Sequence, residues 1–173
     1  MSQPSLYDFV VPTIKNGLKT FEHILNRAES HAVEKGLDAN SVYPEARLID
    51  DQKPLIFQVQ NATKTVKQTV SRLTGVELEP WENNEKTFAD LHKRIHDALE
   101  LLDTVDPAVV AGRIDAIVEL PVLGTPTSVT AQKAVIGQSV PNFFFHLNTA
   151  YSILRAKGVP LGKADYISSF LGL

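Results

Sequence analysis

Apolar side chains that recur every three or four residues, over stretches too long for strands, constrain this chain more than any other feature. Val10, Ile14, Leu18, Phe21, Leu25 and Ala28 recur in this way, and that period lays one apolar stripe along a helix. The spacing predicts a helix from about Leu6 to Lys35, stopped by Gly36, with Pro12 either bending it or marking a later start. A second stripe (Leu55, Ile56, Val59, Ala62, Val66, Val70, Leu73) predicts a helix from Pro54 to about Leu73, ended by Gly75. Asp51 or a neighbour is expected to cap it, with Pro54 in its first turn. A third stripe (Thr87, Phe88, Leu91, Ile95, Ala98, Leu99, Leu102) spans about Asn84 to Thr104. The fourth helix runs from Val140 to Gly158, with Pro141 in a first turn or at a kink. Arg155 and Lys157 fall in its last turn, where the helix dipole favours cations. Helices of ~20 residues span ~30 Å, and four such stripes bury one another in an all-α bundle. At 173 residues the expectation is a single domain over 1–173.

The connections differ in character. Residues 37–53 are polar, and residues 75–84 hold Pro80 and the only tryptophan, Trp81, which reads as a packing plug. From Arg113 to Leu120 the pattern changes to rough alternation. A turn-rich run from Pro121 to Pro126 and a β-prone Thr127–Thr130 follow. These predict a small β-hairpin or irregular insert between the third and fourth long helices. Residues 131–139 read as a helical approach to Pro141; if it is continuous, the proline sits at a kink. The tail after Gly158 carries a final helical turn around Ile167–Leu171.

Composition removes several classes of function. The chain has no cysteine, which excludes disulfides, thiolate metal sites and cysteine nucleophiles. A net charge of −3 gives no global basic footprint for nucleic acid. No apolar run approaches the ~20 residues that span a bilayer. Met1-Ser-Gln-Pro-Ser shows no basic region followed by an apolar run, so cytoplasmic residence is expected. Phosphate-binding loops, dinucleotide fingerprints, H-E-x-x-H and G-x-S-x-G are all missing from the sequence.

The polar residues on the predicted helices are few. Asn142 and His146 are four apart and project from one face. That makes them half a metal site or a satisfied buried pair. Gln60 lies at the edge of the second stripe. His23 reads as a surface residue and His31 as structural. His92 and His96 have metal-compatible i,i+4 spacing, but Lys93, Arg94 and Asp97 around them argue for an exposed or boundary pair. Phe143, Phe144 and Phe145 point ~100° apart around the helix, so they read as packing residues.

Pro141-Asn-Phe-Phe-Phe-His146, then Thr149-Ala-Tyr151, Ile153-Leu-Arg155, Gly158-Val159, Gly162-Lys163 and Asp165-Tyr166, resemble a widespread uncharacterised family of bacterial and fungal proteins. That family is placed in the DinB/YfiT-like superfamily of four-helix-bundle proteins classed as metalloenzymes. Ala46-Arg47-Leu48, Asp51, Pro54-Leu55 and Gln58-Val59-Gln60 resemble its second block. The resemblance implies an up-and-down four-helix bundle, often a homodimer, with a pocket at one end. Metal-binding members use three histidines, one on the second helix and a pair four apart on the last. The matching positions here are Gln60, Asn142 and His146, so one histidine remains. Neutral amides are weak ligands for zinc or nickel, and the expectation is that no metal or other cofactor is held.

Two functions follow as expectations. In the first, the chain is a small-molecule binder or metal-independent enzyme with a bundle-end pocket around His146. His146 would give or take a proton, Gln60 and Asn142 would orient a polar ligand, and Tyr151 is a further candidate. In the second, the chain is a non-catalytic dimeric stress or interaction protein with a vestigial metal site. Nucleic-acid and membrane partners are not expected.

Overall fold

A computed structural model describes residues 4–122 and 124–172. Residues 1–3, Leu123 of the turn-rich run and Leu173 lie outside the described residues. The elements are α1 (Leu6–Glu34), α2 (Ala39–Val42), α3 (Leu55–Thr74), α4 (Phe88–Asp103), α5 (Pro107–Ala111), β1 (Ile117–Val122), β2 (Thr125–Thr130), α6 (Ala131–Ala134), a π-helical turn (Val135–Ser139), α7 (Val140–Ala156) and α8 (Lys163–Leu171).

Local chemistry starts and stops the long helices. Ser5 and Asp8 form a reciprocal capping box at α1, so two orphan N–H groups are satisfied at once. Pro12 lies inside α1 without ending it. The expected Asp51 cap does not form: the cap position of α3 is Pro54, which makes no side-chain cap bond. The carbonyls of Ala46 and Pro44 instead accept the Leu55 and Ile56 N–H groups, both at 3.0 Å. Gly75 ends α3 in the left-handed region at φ 77°, which suits a residue without Cβ. Thr87 is not part of the α4 stripe but its cap, in a second capping box with Asp90.

The four long helices form a bundle. α1 packs on α4 and α7, and α3 packs on the same two helices. α1 and α3 therefore occupy diagonal corners, and residues 35–54 carry the chain across. The stripes meet as expected: Leu18, Phe21, Val59, Val66, Leu91, Ile95, Leu147 and Ile153 are fully buried. Gly17 admits the Phe143 ring so closely that a Cβ there would lie 2.4 Å from Cε1. The tail is a nine-residue helix, α8, packed along α1 rather than one turn.

The insert is a hairpin, β1 paired antiparallel to β2 with Ile117 opposite Thr130 and Leu120 opposite Thr127. Beyond its own pairing it packs on α6. Helical structure then runs unbroken from Ala131 to Ala156. Pro141 has no N–H and its ring crowds the carbonyl four residues back. A π turn, in which Val140 N–H reaches the Val135 carbonyl, takes up the mismatch. No described helix is long and apolar enough to cross a membrane.

Candidate functional site

His146 sits on α7, 8% exposed, with Nδ1 2.8 Å from Gln58 Oε1. The Gln58 amide nitrogen donates to the Lys53 carbonyl at 2.8 Å, which fixes the orientation of that amide. Its oxygen must therefore accept, and Nδ1 carries the proton. The ring is held edge-on by Phe57 and Phe145, with centroids 6.1 and 5.4 Å away. Burial pushes the imidazole pKa down to about 4, so the side chain is neutral near pH 7.

The other residues singled out in the sequence take different partners. Asn142 donates to Thr65 Oγ1 at 2.7 Å. Gln60 donates to Glu85 Oε2 at 2.8 Å. Tyr151 packs edge-on against Tyr166 at 5.9 Å. Gln58 and Thr65, seven apart on α3, face α7 together, whereas Gln60 lies two residues off that row and points toward α4. An imidazole and two amides with separate hydrogen-bond partners do not fit a zinc or nickel site, which favours imidazole or thiolate donors. Among the described residues no three His, Asp or Glu side chains gather into a metal-binding set. His92 and His96 both reach α1, each bonding its own carboxylate, Glu29 and Glu22. His23 bonds Asp165, and His31 bonds Tyr43.

A cleft of about 680 Å³ lies elsewhere, between α3, the 76–83 loop and β1, and none of Gln60, Asn142, His146 or Tyr151 lines it. Its charged wall is Lys64, Lys67, Arg72, Arg94 and Arg113, with Glu77 and Glu119 opposing. Arg94 forms the floor. It is 4% exposed and spends all five N–H groups, on Thr63 Oγ1, the Glu82 and Gln60 carbonyls, Glu85 and Asn83. Gln60 thus supports the cleft from beneath, through Glu85. Trp81 is the side wall, with Lys67 Nζ 4.5 Å and Arg94 Cζ 5.6 Å from its ring centroid, both within cation–π range.

Arg72 is half-buried. It donates to Gln138 Oε1 and Ser139 Oγ, both at 2.6 Å, so the π turn holds it in place. Both acceptors are neutral. Desolvation lowers the pKa of Arg72 and of Lys67. Arg113 lies against the end of α3, its Cζ 2.4 Å from where a Cβ of residue 75 would sit. Its Nε is buried without a hydrogen-bond partner among the described residues.

Sequence reasoning missed this cleft. Lys64, Lys67, Gln68, Ser71 and Arg72 recur at helical spacing opposite the apolar stripe, a pattern that equally describes a solvated face. In sequence Arg94 reads as one of the charges that keep His92 and His96 exposed, yet it follows Leu91 by three and precedes Ala98 by four. That spacing puts it on the buried face, and it was the available signal.

The family model described as Domain of unknown function (DUF1993) matches residues 6–167. No curated protein is detectably similar to the chain. A solved structure of a DinB family member protein from Shewanella denitrificans is 36% identical, with a TM-score of 0.84 over 94% of this chain and 91% of that one. With a family match over nearly its whole length and that bundle as a structural relative, the chain belongs to the DUF1993 family and has the DinB-like four-helix-bundle fold.

Proposed function

We propose that this DUF1993 protein binds a small molecule, without a metal ion, in the cleft beside α3. The observation that carries the reading is the cleft itself. Its volume of about 680 Å³ is in the usual range for small-molecule sites, and the fully bonded Arg94 gives it a rigid floor. His146 takes a positioning part in the core under this reading. A pKa of about 4 is low for proton transfer near neutrality, and the Nδ1 proton is committed to Gln58.

The test uses chelator-treated protein and a small-molecule panel with neutral, cationic and anionic members. Trp81 is the only tryptophan and lines the cleft, so its emission reports occupancy. At least one compound is expected to shift that emission saturably and raise the melting temperature. Ser71→Phe, which fills the cleft, should abolish the response, and His146→Gln should keep it. Loss in His146→Gln with retention in Ser71→Phe would return the site to His146. A response that requires added zinc or nickel would overturn metal independence.

A further inference from the structure

We infer that the cleft recognises a small molecule bearing a dianionic oxyanion group, a phosphate monoester or a paired carboxylate, gripped by Arg72 and Arg113 with Lys64 and Lys67 beside them. The inference rests on the reading of the cleft as a ligand site and adds the chemistry of the ligand.

Charge is the first support. Arg94 is neutralised by Glu85, both nearly inaccessible. Among the described residues, Lys64, Lys67, Arg72 and Arg113 have no carboxylate within ion-pair distance. These four cations line one cleft with Glu77 and Glu119 as its lining carboxylates, and Glu79, outside the lining, attracts Lys67. The chain as a whole carries a net charge of −3, so this concentration of positive charge is local. The excess positive charge favours an anionic ligand, and a dianion is drawn to it more strongly than a single negative charge.

Hydrogen bonding is the second. Arg72 uses only Nη1, on two neutral acceptors, which leaves Nε–H and Nη2 for a ligand. Arg113 makes no side-chain hydrogen bond among the described residues, and its Nε is shut away from water. A buried donor without a partner is costly, and a planar fork of donors suits the paired oxygens of a phosphate or carboxylate. The competing role for these guanidiniums is to offset the partial negative charge at the end of α3. That accounts for Arg72 in the last turn. It does not account for Arg113, which bonds none of the α3 carbonyls, nor for two lysines one to three turns back.

The experiment is calorimetric titration of the full chain with glycerol 3-phosphate, succinate, acetate and glycerol at low and moderate salt, with Trp81 emission in parallel. At least one dianion should bind saturably, more weakly as salt rises. Glycerol 3-phosphate against succinate identifies the phosphate or the dicarboxylate. Acetate should bind at least tenfold more weakly and glycerol not at all. Arg113→Ala should cost at least tenfold in dianion affinity, and Arg113→Lys should fall between it and the parent. Arg113→Ala removes a largely unbonded side chain, so its fold is expected to survive even where Arg72→Gln fails. Equal binding by Arg113→Ala and the parent, with only the melting temperature changed, would overturn the inference in favour of helix-end compensation. If neutral compounds shift Trp81 emission while neither dianion does, the cleft remains a binding site and the oxyanion assignment falls. If no compound of any charge perturbs Trp81, both readings fall.

Discussion

Burial acts on His146 by keeping its proton off. The folded protein holds this imidazole near a pKa of about 4, whereas the unfolded chain titrates it at its ordinary ~6.5. Between those values the unfolded state binds the extra proton, so stability is complete above pH ~6.5 and declines as pH falls toward 4. The total from this one group is roughly 3 kcal/mol. Urea midpoints measured from pH 7.5 to 4 should show this slope in the parent, and His146→Gln should be flatter through the upper part of the window. A variant slope equal to the parent's would mean that His146 is open to protons in the folded state. Arg94 meets burial differently. It recruits an acceptor for every donor, and the network extends to Glu85 and Gln60. The sequence marks Gln60 and His146 as polar residues of interest but not their partners. Gln58 and Thr65 are ordinary until α7 is laid against α3, because pairing across helices depends on rotation about the helix axis.

At the scale of elements, the four long helices were legible because burial must repeat with the helical period, and α1, α3, α4 and α7 start or stop within a few residues of their expected bounds. The misses came from backbone groups that carry no side-chain signature. Carbonyls of Pro44 and Ala46 start α3 in place of Asp51, and the π turn before Pro141 is written only as a proline. Helix packing is similarly silent in sequence: a glycine inside a helix lowers intrinsic propensity, yet Gly17 is where the Phe143 ring enters. Alanine there improves intrinsic helix propensity by about 1 kcal/mol but forces a fully buried ring to move, at ~1–3 kcal/mol of overpacking strain. Gly17→Ala is therefore expected to be net destabilising by chemical denaturation, and a gain in stability would show that the α1–α7 contact yields easily.

For the whole molecule, the hairpin is an attachment to the bundle. Its ends meet, with Ala131 N–H bonded to the Ala116 carbonyl at 2.8 Å, and its strands pack mainly on each other and α6. Replacing residues 117–130 by a short glycine-serine link should leave a cooperative unfolding transition and a helical far-UV spectrum. It should remove the cleft wall formed by Val118, Glu119 and Pro121, and with it any ligand response at Trp81. Loss of the transition would make the hairpin part of the fold. The cleft was illegible in the sequence for the same reason: its walls come from a helix, a loop and a strand up to 57 positions apart (Lys64 to Pro121). The diagonal placement of α1 and α3 also has a consequence for a chain emerging from synthesis. Two long helices are complete by residue 74, yet neither is the other's neighbour. The apolar stripe of α1 finds no long helix to lie against until residues 88–103 have followed, so the first half of this protein is made as an exposed amphipathic segment awaiting the second.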